Sequence, residues 1–482
     1  MSDEPASFNT IPSPLLIPLT KSIASNAVSL LPKLACPDPE ITALRSVNFL
    51  RNWDLLKDSS QERTNQYLIN IRQQYFYLYA AEKKLVANLA KIRVLHALFL
   101  LSVAYQDSSR RKKKISHKLC KNILKCIDKQ GHISSRNPEE LSEYFFIINE
   151  VINNSENLIS ISEYNYLILN ALKIKIAPIL RGLRLGNGFL IRSHGGDFGS
   201  VALIDKYLVQ SDVKIGPSST NLMGFERITA GRLTLLVDCA KPAENLDSFN
   251  AHASCVSFEL TSGQRPIFVH CGPGGRFGTA FKRYCRATQA HNSCTLDSVS
   301  QVQFEIISRN ERWPDEFLLS GPKNVTMERQ RTLDATWLNL SHDSFEELYG
   351  YVHYRKLLML NSGKVFTGTD SFKINKKEKK RKRARNFYAH FQLHPDVELW
   401  DHPRLQTIVL RLKNGEHWIF EIDLGQVTVE ESTYINTVKG VPQNTKRIVI
   451  KSPALYNSAE IKWSLRRREI VSRNTRDLEI TH

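Results

Sequence analysis

The chain has 482 residues, 42% of them hydrophobic and 24% charged, an ordinary globular composition that is too long for one core and so predicts two domains. Its 66 Lys and Arg against 48 Asp and Glu give a net charge of +18, which either favours anionic partners (acidic polysaccharide, nucleic acid or an anionic membrane surface) or reflects a basic proteome as a whole. The eight cysteines show no close CxxC pairing, a pattern of small buried thiols in a reduced compartment rather than a disulfide framework.

At the N-terminus, Asp3 and Glu4 stand where an export signal carries basic residues, and Pro18 and Lys21 interrupt the apolar run after Pro14. No cleavable signal or membrane span is legible, and a cytoplasmic location is the expectation from this end alone. Apolar residues at spacings of three and four then predict helices over Ser46 to Leu56, Asn65 to Leu101, Ser116 to Ile127, Pro138 to Val151 and Ile161 to Leu183. Pro138-Glu139-Glu140 puts a proline and two acids in a first turn, where free backbone NH groups favour negative charge. Before it lies the loop Gln130 to Asn137, in which Asn137 is placed to cap that helix. Residues 184 to 200 form a glycine-rich connector whose polar groups are Asn187, His194 and Asp197.

From about residue 215 the period changes to two. Phe225 to Ile228 and Arg232 to Asp238 read as strands, followed by many short runs to Ser464 with turns such as Asn361-Ser362-Gly363, the pattern of a large antiparallel sandwich. Within it, Ser254 to Leu260, Pro266 to His270 and Ser293 to Asp297 are predicted strands, each beside a histidine: His252, His270 and His291. Neighbouring strands bring these imidazoles together. Even-numbered His252 shares the inward face of Val256, Phe258 and Leu260 if no bulge intervenes. Tyr284, between Arg283 and Arg286, is the best general-acid candidate, since two guanidinium groups hold anions and ease proton release, although a packed strand aromatic fits it as well. His353 with Arg355, and His390 with His394, are secondary candidates. Basic runs occur at Arg110 to Lys114, 376 to 385 and Arg466 to Arg468; the second reads as a solvated loop tip, and lacking interleaved aromatics it gives no reason to expect nucleic acid.

His252-Ala253-Ser254-Cys255-Val256-Ser257-Phe258-Glu259-Leu260, the strand ending in Cys271-Gly272, and Arg286-Ala287-Thr288-Gln289-Ala290-His291-Asn292 together resemble the C-terminal domain of the heparinase II/III family. The resemblance implies an α+β multidomain fold: a shortened α/α toroid over residues 1–200, then a large antiparallel β-sandwich over 201–482. It also implies a polysaccharide lyase that performs β-elimination on a uronic-acid polysaccharide, and a periplasmic or envelope location. The family block His-x-His-x-Asp falls on Asn250, His252 and Ser254, so an amide stands at the position of the base. The loop Gly131-His132-Ile133-Ser134-Ser135-Arg136-Asn137 resembles one that lines the family's substrate cleft.

The candidate catalytic residues are therefore His252, Tyr284, Asn250 and Asn137, with His132, Arg136, Asn187, Arg283 and Arg286 binding an acidic polysaccharide. By resemblance to relatives with a structural zinc site, His252, His270 and His291 are a candidate zinc set; hydrogen-bonded histidines near the core are the alternative. No organic cofactor is expected, and oligomeric state is not legible. The rival function is a catalytically silent glycan-binding or scaffold protein that keeps the fold; a hydrolase using metal-bound water is a distant third.

Overall fold

The computed structural model describes residues 38–56, 61–155, 159–306, 316–375, 385–402, 407–423, 425–437, 440–454 and 458–468. The N-terminal features, Cys36 and the basic run at 376–385, save Arg385, lie outside them. Two compact units are present: one comprises residues up to Ile133, Glu140–Ala177 and Ala202–Ile215, the other Ser134–Glu139, Pro178–Val201 and everything from Gly216.

The first unit is helical: α1 (Pro39–Arg51), α2 (Trp53–Leu56), α3 (Gln61–Ala81), α4 (Leu89–Ala104), α5 (Ser109–Cys126), most of α6 (Pro138–Asn153) and α7 (Glu163–Gly182), and α8 (Val201–Gln210). Asp38 caps α1, its Oδ1 accepting from the NH of Glu40 at 2.7 Å and Ile41 at 3.2 Å, with proline at the first position. Helix α4 is buried nearly all round, from Ile92 to Ala104, and forms the centre of this unit. The single helix expected from Asn65 to Leu101 is two. A short 3₁₀ turn at Glu82–Lys84 ends α3, and Asn88 starts α4 by accepting from Lys91 NH at 3.1 Å. Periodicity alone carried no phase break there. The buried Glu150 carboxylate lies 2.7 Å from Arg51 Nη2 and 2.9 Å from His96 Nε2 and accepts from the Tyr207 hydroxyl, tying four helices together. Burial pushes this carboxyl up, but Arg51 and His96 outweigh it and hold it well below the usual range.

The second unit carries eighteen described strands. β1 (Phe225–Ala230), β2 (Leu233–Asp238), β3 (Phe258–Ser262) and β4 (Arg265–Phe268) form one antiparallel sheet in sequence order. After β5 (Cys294–Leu296) come the ribbon β6 (Gln303–Ile306) with β7 (Glu316–Ser320), then β8 (Val325–Arg331), β9 (Ala335–His342), β10 (Tyr351–Leu360), β11 (Val365–Ile374), β12 (Arg385–Gln392), β13 (Glu398–His402), β14 (Thr407–Arg411), β15 (His417–Ile422), β16 (Gln426–Asn436), β17 (Val441–Ala454) and β18 (Ser458–Arg467). An eight-stranded sheet runs β13-β14-β15-β18-β11-β10-β9-β8, and a four-stranded one β16-β17-β12-β5. Alternation puts one side of each strand inward. Phe258, Phe268, Phe366, Phe391, Phe420 and Trp463 meet in one core, Phe258 stacking on Trp463 at 5.9 Å. A helical N-terminal region followed by a large antiparallel sandwich is thus the architecture.

One local expectation fails where the chemistry is densest. The strand predicted from Ser254 starts only at Phe258, because Val256 takes φ 56°, a left-handed conformation that a β-branched residue rarely adopts. Residues 251–257 are therefore a loop, and His252 lies on no strand face.

Candidate functional site

Two glycines let three polar side chains converge in the sandwich unit. Gly195 has φ 84°, and a Cβ there would lie 2.6 Å from Asn250 Cβ; a Cβ on Gly196 would lie 2.3 Å from Asn137 Oδ1. Only bare backbone fits between these amides. The Gly195 NH also donates to His252 Nε2 at 3.0 Å. A cavity of about 220 Å³ opens beside them, lined by Glu139, Gly195, Asp197, Asn250, His252, Pro273, Gly274, Gly275, Arg276, Lys282, Arg286 and Thr437. Glu139 accepts from the Asp197 NH at 2.8 Å, and Asp197 accepts from the Thr437 hydroxyl.

Behind the cavity the imidazoles form a relay whose tautomers follow from their partners. His252 Nε2 accepts from Gly195, so Nδ1 bears the proton and donates to His291 Nε2 at 3.0 Å. His291 Nδ1 in turn donates to the Ala287 carbonyl at 2.9 Å. His270, its ring centroid 4.8 Å from that of His291, donates from Nδ1 to the Arg192 carbonyl at 2.8 Å and accepts from Ser257 at 3.1 Å. His194 Nδ1 accepts from the His252 NH at 3.2 Å, which leaves its protonated Nε2 3.3 Å from Asp238 Oδ2. Burial pushes each imidazole down, with the neighbouring imidazoles and arginines adding to it, His291 to about 4 and His252 and His270 well below the ordinary range.

A zinc ion does not fit the three rings as they stand. Coordination by His252 Nδ1 would move its proton to Nε2, which faces the Gly195 NH, donor against donor. Both His270 nitrogens are already bonded. Among the described residues, the one group of three whose ligand atoms all lie within 4.8 Å is Cys294, His353 and Asp370. There Arg355 Nε donates to Asp370 Oδ1 at 2.6 Å and Trp463 Nε1 to Oδ2 at 3.0 Å. A guanidinium already neutralises that carboxylate, so a second cation would meet repulsion.

The other predicted residues separate. The Arg136 guanidinium is buried, donating to the carbonyls of Met223 at 2.8 Å and Lys241 at 2.6 Å and to Asp238. Arg286 borders the cavity but is bound to the carbonyls of Ala251 at 2.8 Å and Ser248 at 2.9 Å and lies 3.6 Å from Glu316. Arg283 is half-exposed and also pairs with Glu316. Tyr284 sits on a helix, α9 (Thr279–Arg286), not on a strand; its hydroxyl bonds to Ser432 at 3.0 Å, it is not among the cavity's lining residues, and burial pushes its phenol up. Asn187 closes its own turn by accepting from Phe189 NH at 3.1 Å. His132 belongs to the helical unit and lies 3.7 Å from Asp128. Ser254 donates to Asp238 Oδ2 at 2.8 Å. His353 pairs with Asp370 at 3.0 Å, and His390 bonds Thr295 at 3.0 Å; both are buried. Residues that sequence reasoning passed over are Arg276, Lys282 and Thr437; the PGGR turn ahead of a basic helix was the signal for the first two.

Residues 215–464 match the family described as Heparinase II/III-like, C-terminal. FtsZ-localized protein C of Caulobacter vibrioides is 24% identical over 305 residues, 61% of this chain and 51% of that protein, so the chain spans about half the length of the curated relative it matches. Among solved structures, heparinase III aligns with a TM-score of 0.68 at 12% identity, over 93% of this chain and 73% of that one. The heparan sulfate lyase HepC of Pedobacter heparinus aligns with a TM-score of 0.61 at 13% identity, over 90% and 68%. Identities this low carry the fold only. The sequence match itself spans more than half of the chain, including the Asn250–Arg286 side of the cavity, and on that ground the chain belongs to the heparinase II/III-like family.

Proposed function

We propose that the cavity binds an anionic saccharide and releases it unchanged, the lyase fold being kept without its proton-transfer groups. β-Elimination needs a base for the proton α to the sugar carboxylate, a group that neutralises that carboxylate, and an acid for the leaving oxygen. The observation that carries the reading is the amide at Asn250, on the cavity wall where the family places its base. An amide positions a carboxylate but takes no proton near neutral pH. The next candidate, His252, has Nε2 bonded to Gly195 and Nδ1 to His291. Arg276 and Lys282 supply charge for a carboxylate or sulfate, while Asp197 and Glu139 suit sugar hydroxyls. At about 220 Å³ the space lies below that of drug-sized ligands and suits one sugar ring.

Incubation with a panel of uronic-acid polysaccharides tests this. Calorimetry is expected to show binding that weakens about tenfold in Arg276→Ala and Lys282→Ala, each change removing one charge-assisted contact, with no rise in the ultraviolet absorbance of an unsaturated uronate. A rise that scales with enzyme and disappears on His252→Ala overturns the proposal in favour of a lyase. A scaffold role is the second reading, supported by the name of the Caulobacter relative, FtsZ-localized protein C. Co-sedimentation of this chain with FtsZ polymers is its test; absence from the pellet at micromolar concentrations rejects it.

A further inference from the structure

We propose that Cys271 and Cys285 are a modification site, a dithiol that a small-molecule disulfide of the glutathione class converts into an intramolecular disulfide ringing the cavity loop. Their sulfurs lie 3.2 Å apart and fourteen positions apart in sequence, both fully buried. The backbone presents them to each other. Cys271 follows β4, with its NH bonded to the Ala290 carbonyl at 3.0 Å and its carbonyl to the Ile435 NH at 2.8 Å. Cys285 stands in the last turn of α9. Gly274 lets the loop lie on this thiol, since a Cβ there would be 2.8 Å from Cys285 Sγ and 2.3 Å from the Phe281 carbonyl oxygen.

The position gives the bond a consequence. Pro273, Gly274, Gly275, Arg276 and Lys282, all lining the cavity, lie between the two cysteines. A disulfide would thus tie both ends of that wall together. The cage around the pair is thin: Ala290 and Ile435 with the half-buried Phe277, Phe281 and Tyr284, a cluster apart from the main sandwich core. Gly275 and Gly278 above it have open space where a side chain would be, and Gly278 takes φ 101°. Small satellite clusters under glycine-rich loops open locally at a fraction of the global free energy, which admits a small oxidant. Cys255 and Cys294 are buried as deeply, but the first donates to the Ala240 carbonyl at 3.7 Å and the second accepts from Arg355 at 3.6 Å.

The exchange balances in two steps. One cysteine gives its proton to solvent, and its sulfur attacks oxidised glutathione, forming a mixed disulfide and expelling one glutathione thiolate. The second cysteine, deprotonated likewise, attacks the protein-side sulfur, closing the Cys271–Cys285 bond and expelling the other thiolate. Two protein thiols are oxidised, one glutathione disulfide is reduced, and the two protons end on the released thiolates.

The test uses the full chain, incubated with oxidised glutathione, denatured, alkylated and digested. The expected product is a peptide pair joined through Cys271 and Cys285, neither alkylated, with Tm raised by about 5 °C for a ring of this size and the rise reversed by dithiothreitol. Cys271→Ser and Cys285→Ser each abolish the shift; the mass readout on the unmodified chain stands if either variant fails to fold. Recovery of both cysteines alkylated, capped by glutathione or joined to other cysteines overturns the proposal.

Discussion

Replacing Arg136 decides whether a guanidinium in the cleft-like loop grips a ligand or holds the fold. Its nitrogens donate to the carbonyls of Met223, Gly224, Ala240 and Lys241 and to Asp238, whose side chain is 1% exposed. Burial pushes the Asp238 carboxyl up, but the guanidinium and His194 hold it well below the usual range. Arg136→Ala leaves that carboxylate charged and buried, with Ser254, His194 and the Ala240 NH at 3.4 Å as its remaining partners, a loss of about 3–5 kcal/mol. Native domains hold roughly 5–15 kcal/mol in all. Arg136→Lys keeps the charge but drops most carbonyl bonds, for about 2 kcal/mol. Urea unfolding followed by tryptophan emission, which reports the sandwich through buried Trp418 and Trp463, measures both. If Arg136→Ala costs under about 1 kcal/mol while polysaccharide binding falls, Arg136 is a ligand contact and the reasoning fails.

Gly195→Ala places a methyl on Asn250 at a positive φ and is expected to cost about 1–3 kcal/mol and to abolish saccharide binding, read by thermal melts and calorimetry. The His291 imidazole is expected to stay neutral on acidification until about pH 4, against about 6.5 when unfolded, as seen in its NMR shifts. Because the unfolded chain binds that proton first, His291 contributes stability that is complete above pH 6.5 and lost as pH falls towards 4, about 3 kcal/mol in all. Glu259, pushed up to about 7 by burial, opposes it over the same range, so the net acid sensitivity should increase in Glu259→Gln as judged by urea midpoints. Protein purified without chelator is expected to hold zinc well below one equivalent by elemental analysis; a full equivalent lost on His252→Ala would reinstate the three-histidine site.

Much of the fold was legible because two periodicities carry it. Phe225 to Ile228 and Arg232 to Asp238 were readable as strands, since a sheet with one buried face writes alternation into the chain, and β1 and β2 stand there. The convergence of His252 and His291, with His270 beside them, was legible from motif order, and the rings do adjoin. What was not legible is the route. Alternation through Val256 counted a residue at φ 56° as extended, and nothing in a one-dimensional pattern marks a left-handed valine. Nor does spacing reveal that Gly195 and Gly196 seat two amides from segments more than fifty residues away on either side.

The arginines mark the deeper limit. A guanidinium offers five donors, and wherever the sandwich interrupts its strands it leaves carbonyls that no neighbouring strand satisfies. Arg136, Arg192, Arg286 and Arg355 each answer two or more such carbonyls, and all four are buried. The sequence reading assigns two of them, Arg136 and Arg286, to a ligand. The structure commits them to loops, so the cavity wall carries the charges of Arg276, Lys282 and the carbonyl-bound Arg286, against the carboxylates of Glu139 and Asp197. Selectivity in such a site rests on where the ligand's charge falls relative to its hydroxyls rather than on total charge. A polymer whose carboxylates or sulfates have no free hydroxyls beside them should therefore bind the proposed site no better than salt-screened background, however high its charge.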